Sequence, residues 1–155
     1  MSEPTAYALS HHLSDLIGRK VTFSQATASI DGPGKLVYGI YKVLPKEAAV
    51  VVKTDLPLLG SFAGVLVGLP NDAVKDRLKV SPVEELLRDA MYEVLNISST
   101  VVTTEGRAIF EKMVMDKAYV DGGANLVLMK PGHRSYFNVA VEGYEGGKFS
   151  IFSPL

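Results

Sequence analysis

"SPVEELLRDAMYEVLNISSTVVTTEG", residues 81–106, is the stretch on which the fold turns. Ser81 is placed to cap a helix, Pro82 suits a first helical position, and Glu84 can close a capping box. From there Val83, Leu86, Leu87, Ala90, Met91, Val94, Ile97 and Val101 recur on one face, and Glu105-Gly106 supplies a stop. The spacing predicts a helix over 82–104. The β-branched run "ISSTVVTT" (97–104) also reads as a strand, but the unbroken apolar stripe favours the helix.

Upstream, Ala6, Leu9, Leu13, Leu16 and Ile17 predict a helix over 5–17 that Gly18 ends. Strands follow at 20–30, 35–44 and 47–56, with turns at 31–34 and at Pro45-Lys46. "LPLLGSFAGVLVGLP" (56–70) is shorter than the roughly 20 apolar residues of a membrane span and carries Pro57 and Pro70. It reads as a buried helix with Leu58, Leu59, Phe62, Ala63 and Leu66 on one face. A short amphipathic segment over 71–79 has Asn71 as its N-cap. Downstream, 107–115 reads as a strand and "DGGAN" (121–125) as a glycine turn leading to a strand at 126–130. Residues 135–144 and 148–154 read as a hairpin across Gly146-Gly147. Two related halves emerge, each a helix followed by antiparallel strands. No linker separates them, so the expectation is one α+β domain over 1–155, with helices packed on one antiparallel sheet.

The bulk numbers exclude several classes. At 155 residues the chain can bury a core without staples. Its 16 basic and 17 acidic residues give a net charge of −1 and no field for nucleic acid. Cysteine is absent, which removes disulfides, thiolate metal sites and a thiol nucleophile. "MSEPTAYALSHHL" does not read as a signal peptide, no membrane span is expected, and the expected compartment is the cytoplasm. "GPGK" (32–35) lacks the spacing of a phosphate loop. His11 and His12 point about 100° apart on a helix and cannot clamp one metal. His133 stands alone on a loop, and Asp116 and Asp121 bracket a turn.

Along the long helix, Asp89, Glu93 and Asn96 fall within roughly a 60° arc, nearly opposite the apolar stripe. A solvated face explains Asp89 and Glu93 adequately. Asn96 is harder to place if the helix runs on to Thr104, since Asn is then a poor helix former by several tenths of a kcal/mol. If the helix ends near Ser98, Asn96 is an ordinary C-terminal residue.

Asp89-x-x-x-Glu93-x-x-Asn96 resembles the Asp/Ser-x3-Glu-x2-Asn core of the CheC, CheX and FliY phosphatases of bacterial chemotaxis. The total length and the repeated helix-plus-strands order look like CheX. The resemblance implies a CheC-like fold with pseudo-twofold halves, and action on the phospho-aspartate of a response-regulator receiver domain. Glu93 would pair with the regulator's lysine, Asn96 would orient the attacking water, and Asp89 would be a docking contact. An amide can both donate and accept, which a carboxylate cannot. The protein would need no cofactor of its own, since Mg²⁺ belongs to the partner regulator. CheX-like proteins also suggest a homodimer. Family members typically place a proline 23 residues after the Asn, where this chain has Tyr119. Aligning the first helix sets Asp15 against Glu93 and Gly18 against Asn96, so one candidate site is expected.

Two other readings compete. One is a non-catalytic docking module of the same fold, related to flagellar-switch components. The other is a small-ligand-binding α+β domain with a pocket shaped by "GSFAGVLVG" (60–68), although close helix–sheet packing alone explains Gly60, Gly64 and Gly68.

Overall fold

A computed structural model describes residues 4–27 and 34–154. The turn expected at 31–34 and the end of the first expected strand therefore fall outside the described residues, apart from Gly34. Helix α1 (Ala6–Ile17) starts where the Thr5 side chain accepts from the Ala8 N–H, and ends at Gly18 in the left-handed region (φ 70°). Strands β1 (Val21–Gln25), β2 (Leu36–Leu44) and β3 (Ala48–Asp55) follow. Helices α2 (Leu56–Val67) and α3 (Asn71–Leu78) lead to α4 (Glu85–Ile97), which continues as one 3-10 turn over Ser98–Thr100. Then come β4 (Arg107–Val114), a 3-10 turn (Lys117–Tyr119), α5 (Gly122–Met129), β5 (His133–Val141) and β6 (Tyr144–Ser153).

The strands form one antiparallel sheet in the order β1-β5-β6-β3-β2-β4. Exchanging β1 with β4, β2 with β5 and β3 with β6 turns that order into its own reverse. This is the expected pseudo-twofold, with its axis between β3 and β6, where Val51 faces Phe152 and Val52 faces Ile151. Each half lends its first strand to the other: β1 pairs with β5, and β4 with β2.

The main core lies on one face, where α1, α2 and α4 cover Val37, Tyr41, Val50, Val52, Phe137, Val139, Phe149 and Ile151. Strand alternation sends Tyr38, Ile40, Val51 and Phe152 to the other face, where Val120, Ala124 and Val127 cover them. That second cover corrects the expected turn and strand at 121–130, which are helix α5. Two glycines look like a hairpin, yet Ala124 and Val127 stand one turn apart and both have a sheet to bury against.

Other boundaries move for local reasons. The helix expected over 82–104 is shorter, because the Ser98 hydroxyl donates to the Val94 carbonyl at 2.7 Å and the chain turns away. No capping box forms at Ser81, since Glu84 is itself the N-cap and its carboxylate meets Arg77 at 2.7 Å. Pro70, not Asn71, caps α3, and the Asn71 side-chain Oδ1 accepts from the Glu145 N–H. The last hairpin turns at Glu142-Gly143, with Gly143 at φ 79°. Gly146 and Gly147 lie inside β6, where a Cβ would strike the Val139 carbonyl and the Asp55 carboxylate respectively. Gly60 and Gly64 make room for Leu78 and Val74 of α3, so the close packing there is helix on helix rather than helix on sheet.

Candidate functional site

The candidate site is the outer face of α4, whose position is set by how the inner face is held. Leu87, Ala90, Met91, Val94 and Leu95 are buried in the main core. Leu95 replaces the expected Leu86, which is 51% exposed. The exchange follows from the sheet: β2 has Gly39 beneath the helix, and a Cβ there would stand 3.1 Å from a Leu95 methyl. The Tyr41 hydroxyl, rising from β2, donates to the Leu95 carbonyl at 2.5 Å. Burial pushes that phenol well above its ordinary pKa, so it stays a neutral donor. From α1, His12 Nε2 lies 3.2 Å from the Ile97 carbonyl and 3.1 Å from the Thr100 hydroxyl. The C-terminal end of α4 is thus tied to both the sheet and α1.

On the outside, Asp89, Glu93 and Asn96 are all exposed. At about 100° per residue, Asn96 points directly away from the buried set. None of the three forms an ion pair or hydrogen bond with another side chain among the described residues. Glu85, one turn before Asp89, extends the line into an acidic ridge at i, i+4, i+8. Like charges at that spacing cost a few tenths of a kcal/mol per pair. Glu93 also lies near the helix C-terminus, whose dipole disfavours a carboxylate. Two apolar side chains flank the ridge: Leu86, and Tyr92 at 45% exposure with its ring against Phe110 at 4.7 Å. Sequence reasoning placed Leu86 inward and passed over Tyr92. The run of acidic residues every fourth position from Glu85 was the signal available for the ridge.

The helix ends one residue after Asn96, so the argument that a mid-helix Asn is costly does not apply. What remains is position: the amide sits at the end of an acidic ridge on a firmly seated helix. The first half offers no counterpart. Asp15 pairs with His11 at 3.3 Å, and Gly18 is already the left-handed cap of α1. The same alignment sets buried Leu9, Leu13 and Ile17 against buried Leu87, Met91 and Leu95.

The remaining polar candidates have structural duties. Asp116 accepts from the Ala118 N–H at 2.9 Å, and Asp121 pairs with Lys112 at 3.4 Å before α5. Desolvation raises the Asp55 carboxyl from its ordinary value, against bonds from the Lys148 and Leu58 N–H groups at 2.9 and 3.0 Å. Asp55 caps α2 and ties it to β6. Among the described residues no cluster of acidic or histidine side chains could hold a metal ion, and no helix is long and apolar enough to cross a membrane. A cavity of about 420 Å³ opens at the end of the sheet over Val43, Val50, Val102 and Ile151, away from the glycines of α2. Tyr119, at the position where relatives of the motif carry proline, is 71% exposed in its 3-10 turn.

No family model and no curated protein matches the chain. Solved structures do share its fold. The FliM middle domain from H. pylori superposes with a TM-score of 0.58 at 17% identity, covering 96% of this chain and 84% of that one. FliY from Thermotoga maritima gives 0.54 at 16% identity, covering 93% and 81%. A chain of the FliG-FliM complex from H. pylori gives 0.52 at 12% identity, covering 98% and 87%. At these identities the likeness establishes the fold alone, the α+β fold shared by the FliM middle domain and FliY.

Proposed function

We propose that the protein docks the receiver domain of a response regulator on α4 and hydrolyses its phospho-aspartate. The observation that carries this reading is the joint exposure of Glu93 and Asn96, without side-chain partners among the described residues, on a helix end held by Tyr41 and His12. Dephosphorylation of an acyl phosphate needs little covalent chemistry from the protein; positioning and charge suffice. Glu93 and the ridge behind it would attract the regulator's lysine. The Asn96 amide would donate to one oxygen of the reacting group and accept from the attacking water, fixing it in line. Mg²⁺ would come with the regulator.

The test is regulator dephosphorylation with Mg²⁺ present, by wild type and by each single variant. Asn96→Ala should abolish acceleration while leaving regulator binding intact, because its interaction is made mainly in the transition state. Glu93→Ala should weaken binding. A wild type that accelerates no receiver domain, or a fully active Asn96→Ala, rejects the catalytic reading.

A docking role without catalysis has its own support. Leu86 and Tyr92 flank the ridge and give it the apolar contact area of a protein interface. The FliM fold relative was also crystallised with the partner FliG. Under this reading regulator or switch-protein binding persists, Leu86→Ser and Tyr92→Ser weaken it, and Asn96→Ala changes nothing.

A further inference from the structure

On the face of the sheet away from α4, a cleft of about 250 Å³ opens between α5 and strands β2, β3, β5 and β6. Lys53, Lys117 and Arg134 line it, and among the described residues its lining contains no carboxylate. Elsewhere on this face Lys42 pairs with Glu47 and Glu111, and Lys112 with Asp121. Lys117 and Arg134 form no ion pair among the described residues. Asp116 acts on Tyr38 at the cleft wall, and accepting from the Ala118 N–H leaves its negative charge in place. Lys117 and Arg134 outweigh it, so among the described residues the rim is net positive.

The helix beside the cleft is apolar on both sides. Its inner residues Ala124 and Val127 cover the sheet, while Leu126 is 66% and Met129 67% exposed. Met129 also lines the cleft, so the apolar surface and the cationic one are continuous. Apolar side chains on opposite sides of a helix are ordinarily buried, and the one polar side chain of this helix, Asn125, has its amide nitrogen 3.6 Å from the Met129 sulfur. Methionine at such a surface adapts its shape to a partner. The cleft is below the roughly 300–1,000 Å³ of a small-molecule site, and it fits a side chain or two of a docked segment.

We propose that this face is a second docking surface, taking an acidic segment of a partner protein that also carries large apolar side chains. Its carboxylates would meet Lys117 and the fork of Arg134, which suits bidentate carboxylate pairing. Its apolar side chains would cover Leu126 and Met129. The surface lies across the sheet from α4, so the proposal does not depend on the α4 reading.

The experiment uses the full chain and fluorescence anisotropy of a labelled peptide in which glutamates alternate with leucines. A peptide of glutamate alone, a lysine–leucine peptide and inorganic phosphate as competitor are the controls. Saturable binding of the glutamate–leucine peptide is expected. Lys117→Glu/Arg134→Glu should weaken it about tenfold or more, the scale of one lost charge-assisted hydrogen bond. Leu126→Ser/Met129→Ser should weaken it as well. Every changed side chain is exposed, so unchanged melting curves are expected and exclude misfolding as the cause. Absence of saturable binding, or indifference to either pair of substitutions, overturns the proposal. So does equal binding of the all-glutamate peptide or full displacement by phosphate, each of which marks a site for free anions.

Discussion

Tyr41 and Met91 carry the seating of α4, and each can be tested alone. Tyr41→Phe removes the hydroxyl that meets the Leu95 carbonyl and should lower stability by about 1 kcal/mol. Under the catalytic reading it should also slow dephosphorylation more than it weakens regulator binding, since a shifted helix end misplaces Asn96. Denaturant titration and single-turnover kinetics check the two parts. Met91 is fully buried, so Met91→Asp should cost several kcal/mol, and an unchanged melting temperature would contradict the burial. The exposure of Asp89, Glu93 and Asn96 was legible in the sequence because helical periodicity alone sets direction. The exchange of Leu86 for Leu95 was not. Both leucines border the apolar stripe, and the choice between them depends on Gly39 in a distant strand.

Among the elements, α5 is the one that sequence reading mistook, and the reason is physical. "DGGAN" carries the composition of a turn, and eight residues are too few for periodicity to outweigh two glycines. The clue lay elsewhere. Val50, Val51 and Val52 are consecutive and all buried, which an antiparallel strand shows only when both sheet faces are covered. Such a run demands a cover on the second face, and α5 is what the chain provides. Val127→Asp should therefore destabilise by about 2 kcal/mol, less than Met91→Asp because the helix is shorter and lies near the rim. It should also raise binding of a hydrophobic dye through exposure of Tyr38, Ile40 and Phe152. A melting curve like that of wild type would mean the second face does not need its helix.

Across the whole molecule, the halves were legible as a repeat, but the exchange of their first strands was not. Pairing of β1 with β5 and of β4 with β2 depends on partners in the other half, which local pattern does not encode. Residues 1–80 and 81–155 expressed separately should each fail to show a cooperative melt, and recover one when mixed; an independent melt of either half would show that the exchange is dispensable. The sheet's outer strands also differ. Arg107, Glu111 and Lys112 are exposed along β4 and discourage pairing with another chain, whereas β1 carries no charge. A homodimer across β1 is expected, and Thr22→Lys should dissociate it in sedimentation velocity; a monomeric wild type at high concentration rules it out. The strand order has a further bearing on how the protein is made. Val21 leaves the ribosome 120 residues before its partner Val141, by the difference of their positions. Strand β2 and strand β3 can zip together at once, while β1 must wait until β5 has been made. The nascent polypeptide thus carries Val21 and Phe23 on an unpaired strand while the intervening residues are made, and its yield in the cell should depend on chaperones that shield that strand until β5 arrives.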